Sequence, residues 1–451
     1  MARRIMPLLV ILYFISFLDR TNVGFAALHM NDDLGISSAI YGLGAGIFFL
    51  GYFIFEVPSN VALHRFGARK WISRIAVSWG LIGLLMAFMR HAGDFLVLRF
   101  LLGVAEAGFY PGIIFFLSLW FPSKYRARMI AIFYLAVPLS QVIGSPLSAA
   151  LIDLGNRIGV EGWRLMYAIE SIPAIVLGIF TYFYLTDSPA KAKWLQPAQR
   201  RWLQTELEEE SRLASLESGG KSSTLAHVRS VMANKTVWAL ALIYFGISSG
   251  TNAMYFFFPM LLESFGGGLS IMQTGLITAI PYAVAAIVMV VVSRHSDRVS
   301  ERRKHMGISA IVAGVAVILG LVLNHPVVIV VGFVIMASGI YSAIVIFWSA
   351  PSQLLKGVSA AAGIGFINAV GNLSGFTGTY MTGGIKSITG SFTPAFILIA
   401  LFVIAAGVWF IMLPAVRKLD DKLSTIHATD SNSKNGDRPG AGASPTVSPT
   451  V

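Results

Sequence analysis

The chain has 451 residues, of which 55% are hydrophobic and only 12% are charged, about half the charged fraction of roughly 25% in soluble domains. A mean hydropathy of +0.71 argues against a soluble enzyme, a disordered chain or a coiled coil. The net charge of +12 does not indicate a nucleic-acid partner, because the basic residues concentrate in short loops between apolar runs. Cysteine is absent, so disulfides, thiolate metal sites and a cysteine nucleophile are excluded.

Twelve apolar runs are long enough to cross a bilayer as helices, because a helical span takes about 20 mostly apolar residues. Six lie in the first half, several of them interrupted by charge: 5–27, 38–63, 71–90, 94–120, 128–152 and 165–186. Six lie in the second half without any Asp, Glu, Lys or Arg: 236–262, 264–293, 306–324, 326–355, 357–385 and 387–416. We number these runs as spans one to twelve. They predict an all-α membrane protein with twelve transmembrane helices in two pseudo-symmetric six-helix bundles, residues 1–186 and 236–416.

Two segments lie outside the bundles. Residues 187–235 form a central loop, in which Pro197 and the acidic residues after it predict a short amphipathic helix on the inner membrane surface. A solvated connector without a function of its own is the simpler interpretation of this loop. Residues 417–451 are rich in Ser, Thr, Gly, Pro and Asp, which predicts a disordered cytoplasmic tail. The basic start of the chain is expected to open span one, because no small-residue cleavage site of a signal peptide follows it.

The distribution of Lys and Arg over the loops predicts the orientation in the membrane, since short cytoplasmic loops carry the basic excess. One side receives Arg3, Arg4, Arg65, Arg69, Lys70, Arg74, Lys124, Arg126, Arg128, Arg294, Arg298, Arg302, Arg303, Lys304 and Lys356. The other side receives only Arg90, Arg157, Arg164 and Lys386. Both termini are therefore expected in the cytoplasm, and the positive net charge is mostly a signal of topology.

A basic loop recurs at the same place in both halves. Residues Asn60–Lys70 join spans two and three, and residues Ser293–Lys304 join spans eight and nine. Duplicated six-helix halves joined by a long loop are typical of transporters that bind substrate between the halves and rock to alternate access. The repeated loop therefore predicts a transporter with a central site.

The second of these loops, with Asp297 and Arg298, resembles the basic loop motif of the major facilitator superfamily. The first loop has Asn60 and His64 where an aspartate is usual. That departure, together with Pro58 ahead of it, is typical of the anion:cation symporter family. Further similarity to this family lies in Phe17–Asn22, Arg99–Pro111, Gly162–Pro173 and Thr186–Leu195.

This resemblance implies the major facilitator fold and a tartrate- or hydroxyphenylacetate-permease-like symporter. Bacterial members of the family import sugar acids, tartrate-like acids or aromatic acids together with protons. The implied partners are a small-molecule organic anion, protons as the coupling ion and the lipid bilayer, in the bacterial plasma (inner) membrane. We expect no cofactor beyond protons, no nucleic-acid partner and a monomer.

Charged residues within the spans all lie in the first half, and each costs at least about 2.5 kcal/mol at the centre of a bilayer. Arg20 and Arg99 are predicted to bind the substrate, because a guanidinium holds a carboxylate by two parallel hydrogen bonds. Asp19 and Glu106 are predicted to carry protons, since a buried carboxyl takes up a proton more readily than one in water. The positions that match these four in related transporters serve these roles. Internal salt bridges that only fix helix packing, such as Asp19 with Arg99, are the alternative, and Glu170 is expected to be structural.

Neutral side chains are predicted to complete the substrate site. The candidates are Tyr13, Tyr52, Asn252, Tyr255, Asn368 and Asn372. Tyr13 shares a helix face with Arg20, and Tyr52 matches a position near the substrate in related transporters. The amides and the phenol of the second half suit the hydroxyls of a polyhydroxy or hydroxyaryl acid. Hydrogen bonds that only join helices explain each of these residues equally well.

Charged residues near the basic loops are predicted to gate the cytoplasmic side. They are Glu56, Arg65, Asp297 and Arg298. Glu56 lies toward the inner end of span two, and the other three belong to the two basic loops.

Other motifs give no sign of an enzyme. The eight histidines have no metal-ligand spacing, and no Walker loop occurs. We therefore expect a secondary active transporter that imports an organic carboxylate by proton symport with alternating access. A proton-coupled exporter or antiporter of a metabolite or drug is one alternative. A non-transporting membrane sensor on the same scaffold is the other.

Overall fold

A computed structural model describes residues 1–217, 233–265, 268–355 and 358–421 of the chain. These residues are almost entirely helical, and no strand occurs among them. Most of the predicted disordered tail, from 422 onward, and part of the central loop, 218–232, lie outside the described residues.

The described helices follow the predicted spans but extend beyond many of the predicted ends. In the first half they are Ala2–Asp33, Ser38–Phe66, Ala68–Met86, Ala92–Glu106 with Phe109–Trp120, Ser123–Tyr134 with Ala136–Arg157, and Gly162–Tyr184. In the second half they are Lys235–Phe265, Ile271–Arg298, Arg303–Leu323, Pro326–Phe347 with Ser349–Leu354, Val358–Thr389, and Thr393–Met412. Ten of the spans are long and apolar enough to cross a membrane by themselves. The other two are span three, with three basic residues near its start, and the glycine-rich span eleven. The chain is an all-α membrane protein.

Span four is not the continuous helix that its apolar run predicts. The helix ends at Glu106 and resumes at Phe109, with Gly108 in the left-handed region at φ 82°. Pro111 explains the break, because it has no N–H to donate to the carbonyl of Ala107 one turn earlier. Ser59 of span two satisfies that carbonyl instead, at 2.6 Å from its Oγ. The chain direction therefore changes immediately after a predicted proton carrier.

Spans five and ten are interrupted in the same way. Span five is interrupted at Leu135, three residues before Pro138, and span ten at Trp348, three residues before Pro351. In both, the proline cannot donate to the carbonyl that lies four residues earlier. Proline alone does not enforce a break, since Pro58 and Pro173 lie within continuous helices.

The two halves meet on the membrane side opposite the basic loops, which we call the closed face. Span two packs on span eleven, span five on span eight, and span one on span seven. The backbones approach closely at Gly42 and Gly383, where a Cβ added to Gly42 would lie 2.9 Å from the Gly383 Cα. Nearby, the Tyr41 hydroxyl of span two donates to the Phe256 carbonyl of span seven at 2.8 Å. The closed face is thus sealed by backbone contact.

On the side of the basic loops, which we call the basic face, the halves are separated. Span two shows the change along one helix: Tyr41 is fully buried, whereas Ile54 and Val61 near its other end are 56% and 64% exposed. No ion pair found among the described residues joins the two halves: each lies within one half, within the central loop, or between the first half and that loop. The structure is therefore open toward the basic face.

The same capping hydrogen bond occurs in both bundles at the basic face. Asp187, just after span six, accepts a hydrogen bond from the Arg69 N–H at 2.9 Å. Asp420, just after span twelve, accepts one from the Arg303 N–H at 2.9 Å. Each carboxylate thus satisfies a free N–H at the start of the third helix of its bundle. Residues 414–421 are helical, so the ordered chain continues past the predicted boundary at 416.

The central loop contains the helix predicted after Pro197, as Pro197–Glu217. Glu210 forms an ion pair with Arg126 at 2.8 Å and accepts the backbone N–H of Ser123 at the start of span five. Just before the helix, Trp194 stacks on Trp120, with 5.5 Å between ring centroids. Through these contacts the described part of the loop is docked on the first half.

Candidate functional site

A buried ion pair joins spans one and four at the centre of the first half. Arg20 Nη2 lies 3.0 Å from Glu106 Oε1, and Ser16 Oγ donates to the same oxygen at 2.8 Å. Glu106 is 3% exposed. The Arg20 guanidinium lies over the ring of Phe17 at 4.6 Å and near that of Phe48 at 5.3 Å, and its buried Nε has no partner. Arg20 thus holds one carboxylate and has donor capacity left for another.

Arg99 is fully buried but makes no ion pair among the described residues. Its Nε and Nη2 donate to the carbonyls of Gly44 and Ala45 at 3.3 Å each. Its Nη1 has no hydrogen-bond partner. The predicted alternative of an Asp19–Arg99 salt bridge is wrong, because the backbone of span two occupies this guanidinium.

Asp19 faces away from Arg20, as the roughly 100° between adjacent helical residues requires. Its Oδ1 lies 3.3 Å from Asn22 Nδ2, and its buried Oδ2 has no partner. The same Asn22 nitrogen donates to Glu170 Oε2 at 3.0 Å. The two predicted proton carriers, Asp19 and Glu106, therefore lie in different hydrogen-bond groups.

Aromatic rings surround the ion pair on the side of the basic face. Tyr13 stacks on Phe133, with 4.1 Å between centroids, and on Tyr110 at 5.7 Å. Tyr52 is 7% exposed, and its ring lies 6.2 Å from that of Phe48. Both predicted tyrosines of the first half are therefore within the aromatic shell of the arginines.

The second half contributes a group of hydroxyls. Tyr255 Oη lies 2.7 Å from Tyr341 Oη, and its ring is 6.0 Å from that of Tyr282 and 6.2 Å from Phe17 of the first half. The buried Tyr282 hydroxyl has no hydrogen-bond partner. Tyr255 thus reaches the first half beside Arg20, as a substrate contact would require.

The predicted amides of the second half are not hydrogen-bonded to Arg20 or Arg99 among the described residues. Asn252 Nδ2 donates to the Ser248 carbonyl at 2.9 Å and contacts Ser374 Oγ at 3.4 Å, so it joins spans seven and eleven. Asn368 and Asn372 are half-buried in span eleven, and no hydrogen bond links them to the arginines in the described part of the chain.

The predicted gating residues are not brought together in this open arrangement. Arg65 and Arg298 are exposed, and Glu56 is half-buried. Asp297 lies 3.7 Å from Arg302 of its own half and is 71% exposed. Their gating role stays a prediction for a state in which the basic face is closed.

Several residues of the site carried too little sequence signal to be selected. Ser16 lies one helical turn before Arg20, a spacing that places both on one face, but a lone serine is common in a span. Tyr341 and Ser374 each lie in a span that contains several polar residues, and their spacing does not distinguish them from the others. Asn22 falls within a family motif but gives no sign of its bridging position.

The described residues contain no group of three or more His, Asp or Glu side chains arranged to hold a metal ion. What the site offers is a guanidinium with a neighbouring carboxyl that competes for it, a second guanidinium with an unpaired N–H, and a wall of rings and hydroxyls. This arrangement can bind an anion and exchange a proton.

Comparison with known proteins places the chain in a family. A sequence profile of the Major Facilitator Superfamily matches residues 9–379, and the chain belongs to that superfamily. It is a transporter and not an enzyme, as predicted, and a multi-pass membrane protein.

Relatives and solved structures agree with this assignment. A protein of Agrobacterium vitis, provisionally named a tartrate transporter, is 44% identical over 410 residues, which cover 91% of this chain and 89% of the relative. The quinolone resistance transporter of Acinetobacter baumannii is 37% identical over 410 residues, covering 91% and 90%. The inward-open structure of the xylose transporter XylE from E. coli has a TM-score of 0.72 at 13% identity and covers 91% of this chain and 95% of that one, so the fold is shared.

Proposed function

We propose that this transporter imports an organic carboxylate by proton symport across the bacterial inner membrane. The observation that carries the proposal is the buried pair of Arg20 and Glu106, 3.0 Å apart. A carboxylate substrate and the Glu106 carboxylate are alternative partners for the same guanidinium. A proton on Glu106 removes its charge and leaves Arg20 free for the substrate. The proton and the anion are therefore taken up together.

Arg99 enlarges the anion site. Its guanidinium is held by two carbonyls of span two, and its Nη1 has no partner. A substrate with a second acidic or hydroxyl group would use this donor. The name of the Agrobacterium vitis relative, a tartrate transporter, supports a hydroxylated dicarboxylate within this class.

The hydroxyls of the second half favour a substrate that carries hydroxyl groups. Tyr255 and Tyr341 donate to or accept from each other at 2.7 Å, and a bound hydroxyl would exchange with that contact at little cost. The aromatic rings around the site favour a compact or planar carbon skeleton.

The orientation follows from the basic loops. With the basic face in the cytoplasm, the closed face is external and the structure corresponds to the state that releases substrate inward. Outward opening then requires the span two–span eleven and span five–span eight contacts to part.

Uptake into proteoliposomes tests the proposal. Purified protein is reconstituted and offered a panel of radiolabelled organic acids, with and without an inside-alkaline pH gradient, and protein-free liposomes are the control. We expect concentrative uptake of a hydroxylated carboxylate only under the gradient. Uptake that ignores the gradient would contradict proton coupling, and binding without flux would favour a sensor.

Proton-driven export is a second candidate, supported by the quinolone resistance transporter of Acinetobacter baumannii. Arg20 and Arg99 disfavour a cationic drug, but they do not set the direction of transport. The sign of the gradient separates the two candidates, because an inside-acidic gradient drives uptake by an antiporter and opposes uptake by a symporter.

A further inference from the structure

A second buried carboxyl lies next to Asp19. Glu170 of span six is 2% exposed and accepts hydrogen bonds from Ser148 Oγ at 2.7 Å and Asn22 Nδ2 at 3.0 Å. The same nitrogen of Asn22 lies 3.3 Å from Asp19 Oδ1. One amide therefore bridges two buried carboxyl groups from spans one and six, where the sequence predicted a structural role for Glu170.

This pair has no cation to balance it. Within the described part of the chain, neither Asp19 nor Glu170 forms an ion pair, in contrast to Glu106 with Arg20. Asp19 Oδ2 and Asn22 Oδ1 are buried without a hydrogen-bond partner. Two buried carboxylates this close are costly when both are charged. A proton on either carboxyl supplies a hydrogen-bond donor, and an unpartnered oxygen of the group can accept from it.

The other ionisable groups near the pair do not compensate it fully. Glu106 and Arg99 act on Asp19 from span four, one with each sign of charge. Tyr167, one turn before Glu170, faces the same region from span six. Span five contributes the neutral Ser148, and span three contributes the neutral Trp79, whose indole N–H interacts with Asp19.

The backbone positions of the two residues lie at different depths from the closed face. Glu170 is eight residues from Gly162, where span six begins, and Asp19 is fourteen residues from Asp33, where span one ends. At about 1.5 Å per residue these separations are about 12 and 21 Å. Glu170 is therefore the member of the pair nearer the closed face.

We propose that Asp19 and Glu170, bridged by the Asn22 amide, form a carboxyl pair that together carries one transported proton. The proposal rests on the proposed proton symport and deepens it. The proton enters the pair at Glu170, the outer member, while the closed face is open. It leaves with the substrate when the basic face opens.

Two variants that act on the pair in opposite directions test this inference. In Glu170→Gln, Asp19 is no longer repelled by a second carboxylate. Proton uptake then needs a more acidic exterior, and the external pH of half-maximal uptake falls by about one unit. In Ser148→Ala, the charged pair loses a hydrogen-bond donor, so half-maximal uptake moves to a higher external pH. Glu208→Gln, at an exposed position of the central loop, is the matched control and leaves the profile unchanged.

The measurement is gradient-driven uptake in proteoliposomes over a range of external pH, with substrate counterflow as the readout of binding and rocking. A variant that loses maximal rate but keeps the wild-type pH profile shows a structural role and overturns the inference. If Glu170→Gln does not fold, the shift in Ser148→Ala decides, and an unchanged profile overturns it. Wild-type uptake that needs sodium and ignores the pH gradient defeats the proposed function itself, before any variant is made.

Discussion

The two halves of the transporter share one plan of helices but divide the chemistry between them. The first half holds the acidic and basic residues of the site: the buried Asp19, Arg99, Glu106 and Glu170 and the partly buried Arg20. The second half offers phenols, amides and hydroxyls, with Tyr255 and Tyr341 in direct contact. Each buried charge is costly, and of these five residues only Arg20 and Glu106 form an ion pair in the described part of the chain. Under the proposed function, the first half would couple the proton and bind the carboxylate, and the second half would select the substrate's hydroxyl groups.

The largest effect is expected from Glu106→Gln in the charged half. The neutral amide cannot take up and release a proton, so gradient-driven uptake falls to the level of protein-free liposomes, whereas substrate counterflow persists. Proteoliposome uptake and counterflow measure the two activities, with Glu208→Gln as the control. Concentrative uptake that survives in Glu106→Gln would contradict proton coupling through Glu106 of the first half.

The contact between the halves is tested by Gly383→Ala. A Cβ on Gly383 would lie 2.8 Å from the Gly42 Cα, and overpacking of this kind costs about 1–3 kcal/mol. We expect the closed face to open more often and uptake to fall about tenfold. Gly384→Ala is the matched control, because nothing lies within 4 Å of its added Cβ.

Accessibility reports this opening directly. The chain has no cysteine, so a single Thr278→Cys reporter in span eight, 2% exposed in the structure, gives a clean signal with a thiol reagent. Labelling should rise when Gly383→Ala is added to the reporter and not when Gly384→Ala is added. Equal labelling in both would mean that the glycine contact does not hold the closed face.

The break in span four is expected to matter for stability. Ser59 Oγ donates to the Ala107 carbonyl and accepts from Trp71 Nε1. Ser59→Ala leaves both groups unsatisfied, which destabilises the protein by about 1–3 kcal/mol. Thermal unfolding in detergent measures the loss. Ser118→Ala, which removes only a bond to its own helix, should have a smaller effect, and an equal one would contradict this account of the break.

The smallest effect is expected from Tyr341→Phe in the neutral half. One hydroxyl contact is worth about 0.5–1.5 kcal/mol, so the KM for the transported acid should rise by about two- to tenfold. The external-pH profile of uptake should not move. A shifted profile would show that the second half shares in coupling, and the division between the halves would be wrong.

The fold could be predicted largely from the sequence, because a bilayer demands long apolar runs and twelve of them are present. The ends were less predictable, since span one continues to Asp33 through polar residues that lipid does not select. The breaks at Gly108 and Trp348 were not predicted, because the presence of a proline does not reliably indicate that a transmembrane helix is interrupted. Pro58 and Pro173 lie in continuous helices, and tertiary contacts decide which proline interrupts its span.

The charged residues of the candidate site could be predicted, because charge is rare in the apolar spans. Their partners could not, because these depend on how each helix is rotated about its axis. Arg20, Arg99 and Glu106 stand out in an apolar chain, but their partners depend on how spans one, two and four face each other. The alternative contact of Asp19 with Arg99 does not form, because Arg99 donates to carbonyls of span two. Neutral polar residues such as Tyr341 are common in the spans, so the sequence does not distinguish those that line the site from those that only pack helices together.

The paired carboxylate caps at the basic face have a mechanical consequence. Asp187 and Asp420 tie the chain, where it leaves each bundle, to the first turn of span three and of span nine. Each bundle therefore has a fixed attachment point beside its basic loop. A displacement of the central loop would therefore move span three together with the end of span six, because Asp187 links the two.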